Sequence, residues 1–218
     1  MIINDLDEIL NTLKIHLSGF KQTMISSVIE KTNDPFWTLI SCLLSLRTKD
    51  AVTYEATNRL YARAKNAEEI IQLPVKVIED TIYPVGFYRK KSLIIKEVTW
   101  IIITKYQGKV PDNIDDLLSI PGVGRKTANI VLSGAYKIPA IAVDTHVHRI
   151  TNRLGLVKTK NPIDTEVELM KVVPEAYWLE INELLVTFGQ NICFPVSPLC
   201  SNCPIVQYCS RTGVNYFR

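Results

Sequence analysis

Apolar residues recur at helical spacing along almost the whole chain, and this pattern limits the fold more than any other feature. One stripe consists of Leu6, Ile9, Leu10 and Leu13, and a second of Phe36, Leu39, Ile40, Leu43 and Leu44. Further helices are predicted over residues 51–64, 67–72, 75–82, 90–106, 114–119, 124–135, 145–154, 165–173 and 176–188. Proline and glycine separate these segments, and no convincing β-hairpin signal is present. The sequence therefore predicts an all-α fold, in which Thr48 or Asp50 caps the helix 51–64.

The bulk composition excludes several classes of protein. The chain has 218 residues, of which 47% are hydrophobic and 22% charged, as expected for a packed globular protein. Acidic residues come early in the N-terminal segment, which is not typical of a signal peptide. The longest apolar runs are too short and too interrupted to cross a bilayer. We therefore expect a cytosolic protein without a membrane partner.

Positive charge is concentrated in one stretch of the chain, although the net charge is only +3. Between Asp116 and Asp164 the one acidic residue is Asp144. The same stretch contains Arg125, Lys126, Lys137, Arg149, Arg153, Lys158 and Lys160. Such a segment is typical of a surface that faces DNA and includes a catalytic acid, although a solvated face with a chance excess of charge is the alternative.

The segment from Ile120 to Ala128, IPGVGRKTA, has the form of a helix–hairpin–helix turn. Gly122 and Gly124 allow unusual backbone angles and the close approach of a phosphate. We expect the amides of Val123, Gly124 and Arg125 to point outward at the start of the next helix, where they would bind an anion. The alternative is a tight turn with a purely structural purpose.

Lys126 and Asp144 are the candidate catalytic residues. Lys126 falls in the first turn of the helix that follows the hairpin, where the helix dipole disfavours its charged form and so favours a nucleophilic amine. A phosphate contact is the alternative role for this lysine. Asp144 precedes the helix 145–154, where an ionised carboxylate can stabilise a cationic sugar or accept a proton. The alternative for Asp144 is a simple helix cap.

Four of the five cysteines lie close together near the C-terminus. Cys193, Cys200, Cys203 and Cys209 have the spacing C-x6-C-x2-C-x5-C. Crowded cysteines in a cytosolic chain indicate a metal centre rather than disulfides, and this spacing alone leaves zinc and iron–sulfur open. Cys42 lies near the apolar stripe of its own helix and is predicted to be buried in the core.

The two segments 118–132 and 143–152, together with the cysteine spacing, resemble the endonuclease III family of helix–hairpin–helix DNA glycosylases. The resemblance implies a bifunctional enzyme of base excision repair that removes oxidised pyrimidines and cleaves the strand. Lys126 would form a Schiff base at a flipped nucleotide, and Asp144 would assist base loss. The cysteines would hold a structural [4Fe–4S] cluster. Relatives that act on mismatches lack a lysine at the position of Lys126.

The resemblance also suggests DNA contacts outside the hairpin. Arg47 and Phe87 are the candidates to fill the gap that base flipping leaves, and the family often has glutamine where Arg47 stands. His146 would line the pocket near Asp144, and Asp50 would either approach this pocket or cap its helix. His148 would contact a phosphate at the surface. The first cysteine loop, 194–199, carries no charge, unlike the basic loop usual in the family. Arg211, Arg218 or the 145–160 stretch could compensate for this difference.

The expected architecture is two helical lobes with a DNA-binding cleft between them. A six-helix barrel-like lobe over residues 28–137 would contain the helix–hairpin–helix motif. Residues 1–27 and 138–218 would form the lobe with the iron–sulfur cluster, and Lys126 and Asp144 would face each other in the cleft. We expect a monomer that acts on duplex DNA with a damaged base or abasic site. A mismatch-specific glycosylase and a non-catalytic DNA-binding module are the two alternatives.

Overall fold

The computed structural model describes residues 5–218, and within them the regular elements are helices without strands. The α-helices are α1 Leu6–Leu17, α2 Met24–Thr32, α3 Pro35–Ser45, α4 Asp50–Arg63, α5 Ala67–Gln72, α6 Val75–Ile82, α7 Tyr88–Tyr106, α8 Ile114–Ser119, α9 Arg125–Ile130, α10 Thr145–Leu154, α11 Pro162–Val172 and α12 Ile181–Asn191. The predicted all-α class is confirmed. Over the described residues, none of these helices combines the length and apolar character that crossing a membrane requires.

Contacts between Cα atoms divide the chain into two compact units. One unit joins the N-terminal segment through Thr23 to Pro139–Arg218, and the other is Met24–Ile138. The lobe boundary expected at residue 28 falls inside α2, which lies entirely in the second unit. Sequence periodicity gave no sign of α2, because only Met24 and Val28 of its nine residues are buried.

The central element of the Met24–Ile138 unit is α3. All nine residues from Phe36 to Leu44 are buried, so this helix is covered on every side rather than along one stripe. It packs against α2, α4, α7 and α9. Asp34 caps its start by accepting a hydrogen bond from the Phe36 amide at 2.8 Å. Cys42 is 2% exposed, which confirms its predicted place in the core.

The start of α4 differs from the prediction, because neither Thr48 nor Asp50 caps it. Lys49 occupies the cap position and Asp50 is the first helical residue. The Thr48 hydroxyl instead accepts hydrogen bonds from the Gly86 amide and the Lys91 ammonium, each at 3.1 Å. These long-range bonds hold Thr48 in the connection between α3 and α4.

The helix predicted over 124–135 has two parts. The first is α9, and a π-helical turn over Val131–Tyr136 continues it. Gly134 lies in this turn, where a Cβ atom would come within 2.6 Å of the Ile29 side chain. A residue with a side chain at position 134 would therefore force the end of the Ile29 side chain on α2 to move.

The other unit is built around α1, α10 and α12. The predicted α1 stripe is confirmed, since Leu6, Ile9, Leu10 and Leu13 are all at most 3% exposed. They share one core with Val147, Ile150, Leu185 and Phe188 from α10 and α12. The Asn182 side chain donates a hydrogen bond to the Ala142 carbonyl at 2.6 Å, which fixes the segment that leads into α10. Two predicted helices shift: Pro162 begins α11, and α12 starts only at Ile181 after a 3₁₀ turn over Glu175–Tyr177.

Candidate functional site

The hairpin between α8 and α9 leaves the N-terminal end of α9 exposed to solvent. Gly122 has φ +78°, the left-handed region that favours glycine. Gly124 is the N-cap of α9, and a Cβ atom built there would meet no atom within 4 Å. The Val123 amide, which we expected to point outward, donates instead to the Ile120 carbonyl at 3.1 Å, and the Val123 side chain is 7% exposed. The backbone of Gly124, rather than that of Val123, therefore faces the open side.

Lys126 is the second residue of α9, and its side chain is exposed. It lies close enough to Cys42 for the two to interact electrostatically. Burial raises the pKa of the Cys42 thiol to about 12, and the positive charge of Lys126 opposes this shift. The buried Cys42 thiol is thus uncharged, and the exposed Lys126 side chain is accessible to a ligand in solution.

Arg47 and Phe87 occupy two loops that pack against each other. Both residues have left-handed backbone angles, with φ 52° and 58°. A Cβ atom on Gly86 would lie 2.6 Å from the Arg47 carbonyl oxygen, so the two backbones approach as closely as a glycine allows. The Arg47 guanidinium lies 5.9 Å from the centre of the Phe87 ring. Phe87 is 58% exposed, so its ring is not part of the core.

Asp144 is the N-cap of α10. Its Oδ1 atom accepts hydrogen bonds from the His146 and Val147 amides at 2.8 and 2.9 Å. The carboxylate is half-buried and is oriented by these two bonds. The cap role that we listed as an alternative is therefore real, and it fixes the position of the carboxylate for any further role.

Two arginines of the basic stretch bind backbone carbonyls of their own unit instead of facing outward. Arg149 donates to the Cys193 carbonyl at 2.8 Å and to that of Gly189 at 3.3 Å. Arg153 donates to the carbonyls of Phe194 and Pro195 at 2.6 and 2.7 Å. These two side chains bind within their own unit because the end of α12 and the first cysteine loop leave carbonyl groups that need donors.

The two histidines of α10 also have neighbours in this unit. His146 is half-buried, and its ring packs against Gly189 and lies 3.1 Å from an Arg149 nitrogen. His148 Nδ1 lies 2.7 Å from the Thr165 hydroxyl, which joins α10 to α11. His148 is thus placed as a structural contact between helices, in contrast to the phosphate contact that we considered.

All four C-terminal cysteines are unpaired and line one cavity. Apolar side chains such as Leu154, Phe188 and Ile205 complete its wall. Among the described residues, no group of three or more His, Cys, Asp and Glu side chains has the geometry to hold a metal ion. Two nitrogen donors approach the sulfur atoms: Arg153 lies 3.5 Å from Cys193 Sγ, and the Arg211 amide lies 3.4 Å from Cys209 Sγ.

Burial raises the pKa of the Cys203 thiol to about 11 and also raises those of Cys200 and Cys209. An apolar cavity disfavours four thiolates unless a cationic centre binds them. The donor chemistry of the four cysteines and their common cavity therefore fit a metal centre that takes cysteines as thiolates, but their side chains are not in the geometry that such a centre requires.

The C-terminal segment covers the uncharged first cysteine loop. The Arg218 amide donates to the Pro198 carbonyl at 2.8 Å, and the Ser201 amide donates to the Arg218 carbonyl at 2.9 Å. The Arg218 guanidinium lies 5.8 Å from the Phe194 ring. Arg211 lies over the Phe217 ring instead. Arg218 thus brings positive charge to this loop, as we considered from the sequence.

Comparison with known proteins identifies the family. The family model of the HhH-GPD superfamily of base excision DNA repair proteins matches residues 40–175. Endonuclease III of Thermotoga maritima is 48% identical over 82% of this chain and 84% of its own length. The chain belongs to the endonuclease III family. A chloroplastic endonuclease III homologue of Arabidopsis thaliana is 41% identical over 84% of this chain. The match covers about half (51%) of that longer protein.

Solved structures of endonuclease III share the fold. A non-covalent endonuclease III–DNA complex aligns with a TM-score of 0.84 at 33% identity, over 96% of this chain and 95% of the other. A trapped covalent endonuclease III–DNA intermediate aligns with a TM-score of 0.82 at 32% identity, over 96% of both chains. A thermostable thymine-DNA glycosylase has the same TM-score at 25% identity, over 94% and 95% of the two chains.

Sequence reasoning missed Lys91, which is 6% exposed. Its ammonium donates to the carbonyls of Leu44 and Leu46, both at 2.6 Å, in addition to Thr48. The sequence offered one signal. Lys91 precedes the buried Ile95 and Val98 by four and seven residues, so it lies on the buried face of α7.

Proposed function

We propose that this chain is a bifunctional DNA glycosylase and abasic-site lyase of base excision repair. Its substrate is duplex DNA with an oxidised pyrimidine or an abasic site, on which it acts as a monomer in the cytosol. The observation that carries the proposal is the exposed Lys126 at the start of α9, directly after a glycine hairpin. Similarity to endonuclease III, whose solved complexes include a trapped covalent intermediate with DNA, supports it.

In this proposal Lys126 is the nucleophile. Its neutral amine attacks C1′ of the flipped nucleotide, and the bond to the base breaks with its electron pair going to the base. Loss of a proton from the nitrogen and opening of the sugar ring give a Schiff base. Removal of a C2′ proton then expels the 3′ phosphate and cleaves the strand. Water finally releases the lysine from the sugar.

Asp144 is the proposed catalytic carboxylate. Its two hydrogen bonds to the amides of α10 hold the group in one orientation, so no side-chain ordering is needed when substrate binds. A carboxylate stabilises the positive charge that develops on the sugar as the base leaves, and it can accept a proton in later steps.

Phosphate binding and duplex opening use residues of the Met24–Ile138 unit. We propose that the backbone of Gly122 and Gly124, with Arg125, holds a phosphate near α9, because the space beside Gly124 is open. Arg47 and Phe87, which we name the wedge pair, enter the duplex where the damaged nucleotide leaves the stack. Their exposure and their mutual contact suit this role. His146 packs beside Asp144 in α10 and contributes to the same pocket.

Cys193, Cys200, Cys203 and Cys209 are the proposed ligands of a [4Fe–4S] cluster. When bound, the cluster supplies four iron–thiolate bonds that cross-link the C-terminal segment. Iron and sulfide analysis of the purified protein tests this assignment. About four of each per chain is the expected result, and one zinc per chain without sulfide would show that the cysteines form a zinc site.

A strand-cleavage assay tests the proposed function. Wild-type protein should cleave duplexes with thymine glycol or an abasic site on the 3′ side of the lesion, leaving an unsaturated sugar. A Lys126→Ala variant should leave both substrates intact. If the wild-type protein cleaves neither substrate, the proposal is wrong.

A mismatch-specific glycosylase is the second candidate, because a thymine-DNA glycosylase shares the fold. The same assay distinguishes the two activities. Release of thymine from a G·T mismatch without strand cleavage would support the second candidate. Lys126 argues against it, because the family's mismatch enzymes lack this lysine.

A further inference from the structure

Lys91 connects the two loops that carry the wedge pair. It lies in the first turn of α7, four residues after Phe87. Its ammonium donates to the carbonyl of Leu44, in the last turn of α3, and to that of Leu46, directly before Arg47 in the α3–α4 connection. A lysine at the base of one loop therefore binds the backbone that leads into the other.

Thr48 completes this connection. Its hydroxyl accepts a hydrogen bond from Lys91 Nζ and another from the Gly86 amide, each at 3.1 Å. Gly86 directly precedes Phe87, and Thr48 directly follows Arg47. Lys91 thus binds residues on both sides of Arg47, and Thr48 connects it to the residue that precedes Phe87.

Burying the Lys91 ammonium costs free energy, which indicates that its hydrogen bonds have a role beyond the packing of the side chain. A buried ammonium loses its hydration, and all three acceptors described here are uncharged. Burial accordingly lowers the pKa of Lys91 to about 8. An apolar side chain of the same length would fit this position without that penalty. The ammonium offers three N–H donors, which such a side chain cannot replace.

The backbone beside the wedge pair is strained and tightly packed. Arg47 and Phe87 both have positive φ values, which residues with a Cβ atom rarely adopt. Such angles persist only where the surrounding structure enforces them. The hydrogen bonds from Lys91 to the Leu44 and Leu46 carbonyls hold the chain just before Arg47 in this conformation.

We propose that Lys91 is a positioning residue for duplex opening, because its hydrogen bonds hold Arg47 and Phe87 together as one rigid wedge. This inference rests on the proposed function, since it presumes that the protein flips a nucleotide out of a duplex. Lys91 is 6% exposed and contacts no DNA in this account. Lys91 acts through the wedge pair alone, so it should affect the reaction rate only on substrates whose damaged nucleotide has to be unstacked from a duplex.

A comparison of double-stranded and single-stranded substrates tests this proposal. An abasic site in single-stranded DNA needs no duplex opening, whereas one in a duplex does. A Lys91→Met variant should lose about tenfold or more in the single-turnover rate on duplex DNA, because a displaced wedge is costly. Its rate on the single-stranded substrate should stay close to that of the wild type.

Lys96 provides a matched control on the same helix. Its ammonium also donates to two backbone carbonyls, those of Ile71 and Leu73, but these lie away from the wedge pair in the sequence. A Lys96→Met variant should leave the ratio of duplex to single-stranded rates unchanged, even if it lowers the melting temperature. A Thr48→Val variant, which keeps the shape of the side chain, should lower the ratio in the same direction as Lys91→Met.

A double-mutant cycle with Phe87→Ala separates positioning from general destabilisation. If Lys91 acts through the wedge, Lys91→Met should lower the duplex rate much less in the Phe87→Ala background. Additive effects of the two variants, or equal losses on both substrates, would overturn the positioning role. Inactivity of the wild type on both substrates would instead contradict the proposed function, so the two failures can be distinguished.

Discussion

The two helices that carry the proposed catalytic residues begin in opposite ways. At the start of α9 the cap is Gly124, which has no side chain and leaves open space, and Lys126 extends into solvent. At the start of α10 the cap is Asp144, whose carboxylate closes the helix end with two hydrogen bonds. The first start leaves its backbone accessible to a ligand. At the second start, one oxygen of the Asp144 carboxylate accepts hydrogen bonds from its own helix, and these bonds hold the carboxylate in one position.

Of the helix-cap substitutions, that of Asp144 should have the largest effect on the reaction rate. Asparagine caps helices as well as aspartate does, so Asp144→Asn should keep the stability of the protein. It removes the negative charge, and the base-excision rate should fall by about 10²-fold or more. Asp144→Ala should show the same loss of rate and also lower the free energy of unfolding by about 1 kcal/mol. Denaturation in urea and single-turnover kinetics measure the two effects.

The cap of α11 provides a control for this pair. The Asn161 side chain accepts a hydrogen bond from the Asp164 amide at 2.9 Å. Asn161→Ala should cost about 1 kcal/mol of stability and leave the rate unchanged. If Asp144→Asn retained the wild-type rate, Asp144 would be a helix cap only.

Arg153, in the last turn of α10, tests whether basic residues of this unit stabilise it or bind DNA. It donates to the carbonyls of Phe194 and Pro195, so Arg153→Met should lower the free energy of unfolding by about 2 kcal/mol. The salt dependence of DNA binding should not change. Lys158 is an exposed residue of the same basic stretch. Lys158→Met should reduce the slope of log binding constant against log salt concentration by about one, with no loss of stability. A reduced salt slope for Arg153→Met would contradict the structural role.

Gly122 tests the backbone of the hairpin. Its φ of +78° is unfavourable for a residue with a side chain, and an added Cβ would lie 3.3 Å from the Ile94 side chain. Gly122→Ala should therefore lower the free energy of unfolding by about 1 kcal/mol or more. Thermal denaturation measures this effect, and an unchanged melting temperature would show that the hairpin accommodates the side chain.

Gly124 should respond differently although it lies only two residues away. Its φ of −98° suits any residue, and serine is a favoured helix cap, so Gly124→Ser should leave stability within about 0.5 kcal/mol of the wild type. The new side chain fills the open space beside the backbone, and the affinity for duplex DNA should fall. Unchanged affinity in a fluorescence-anisotropy titration would exclude a phosphate site at this backbone.

Helix positions could be predicted from the sequence, whereas the directions of charged side chains could not. The bounds of α5, α6, α8 and α10 agree with the prediction at both ends, because strong caps such as Asn66, Asn113 and Asp144 coincide with apolar periodicity. Arg149 and Arg153 turn inward because carbonyls some 40 residues later in the chain lack donors, and local sequence does not encode such partners.

The candidate site shows the same division between local and long-range information. The hairpin, Lys126, Asp144 and the cysteine spacing are local patterns, so the sequence alone is enough to propose them as features of the site. Lys91 was missed because its three acceptors lie more than 40 residues earlier in the chain. The Val123 amide was misjudged because the bond to Ile120 closes the turn from within.

Borohydride trapping tests the central claim, that Lys126 is the nucleophile, most directly. Wild-type protein incubated with an abasic-site duplex and borohydride should form a stable covalent adduct, since reduction converts the Schiff base to an amine. Digestion and mass spectrometry should locate the adduct on Lys126, and the Lys126→Ala variant should form none. An adduct on another residue, or equal trapping of the variant, would contradict the account.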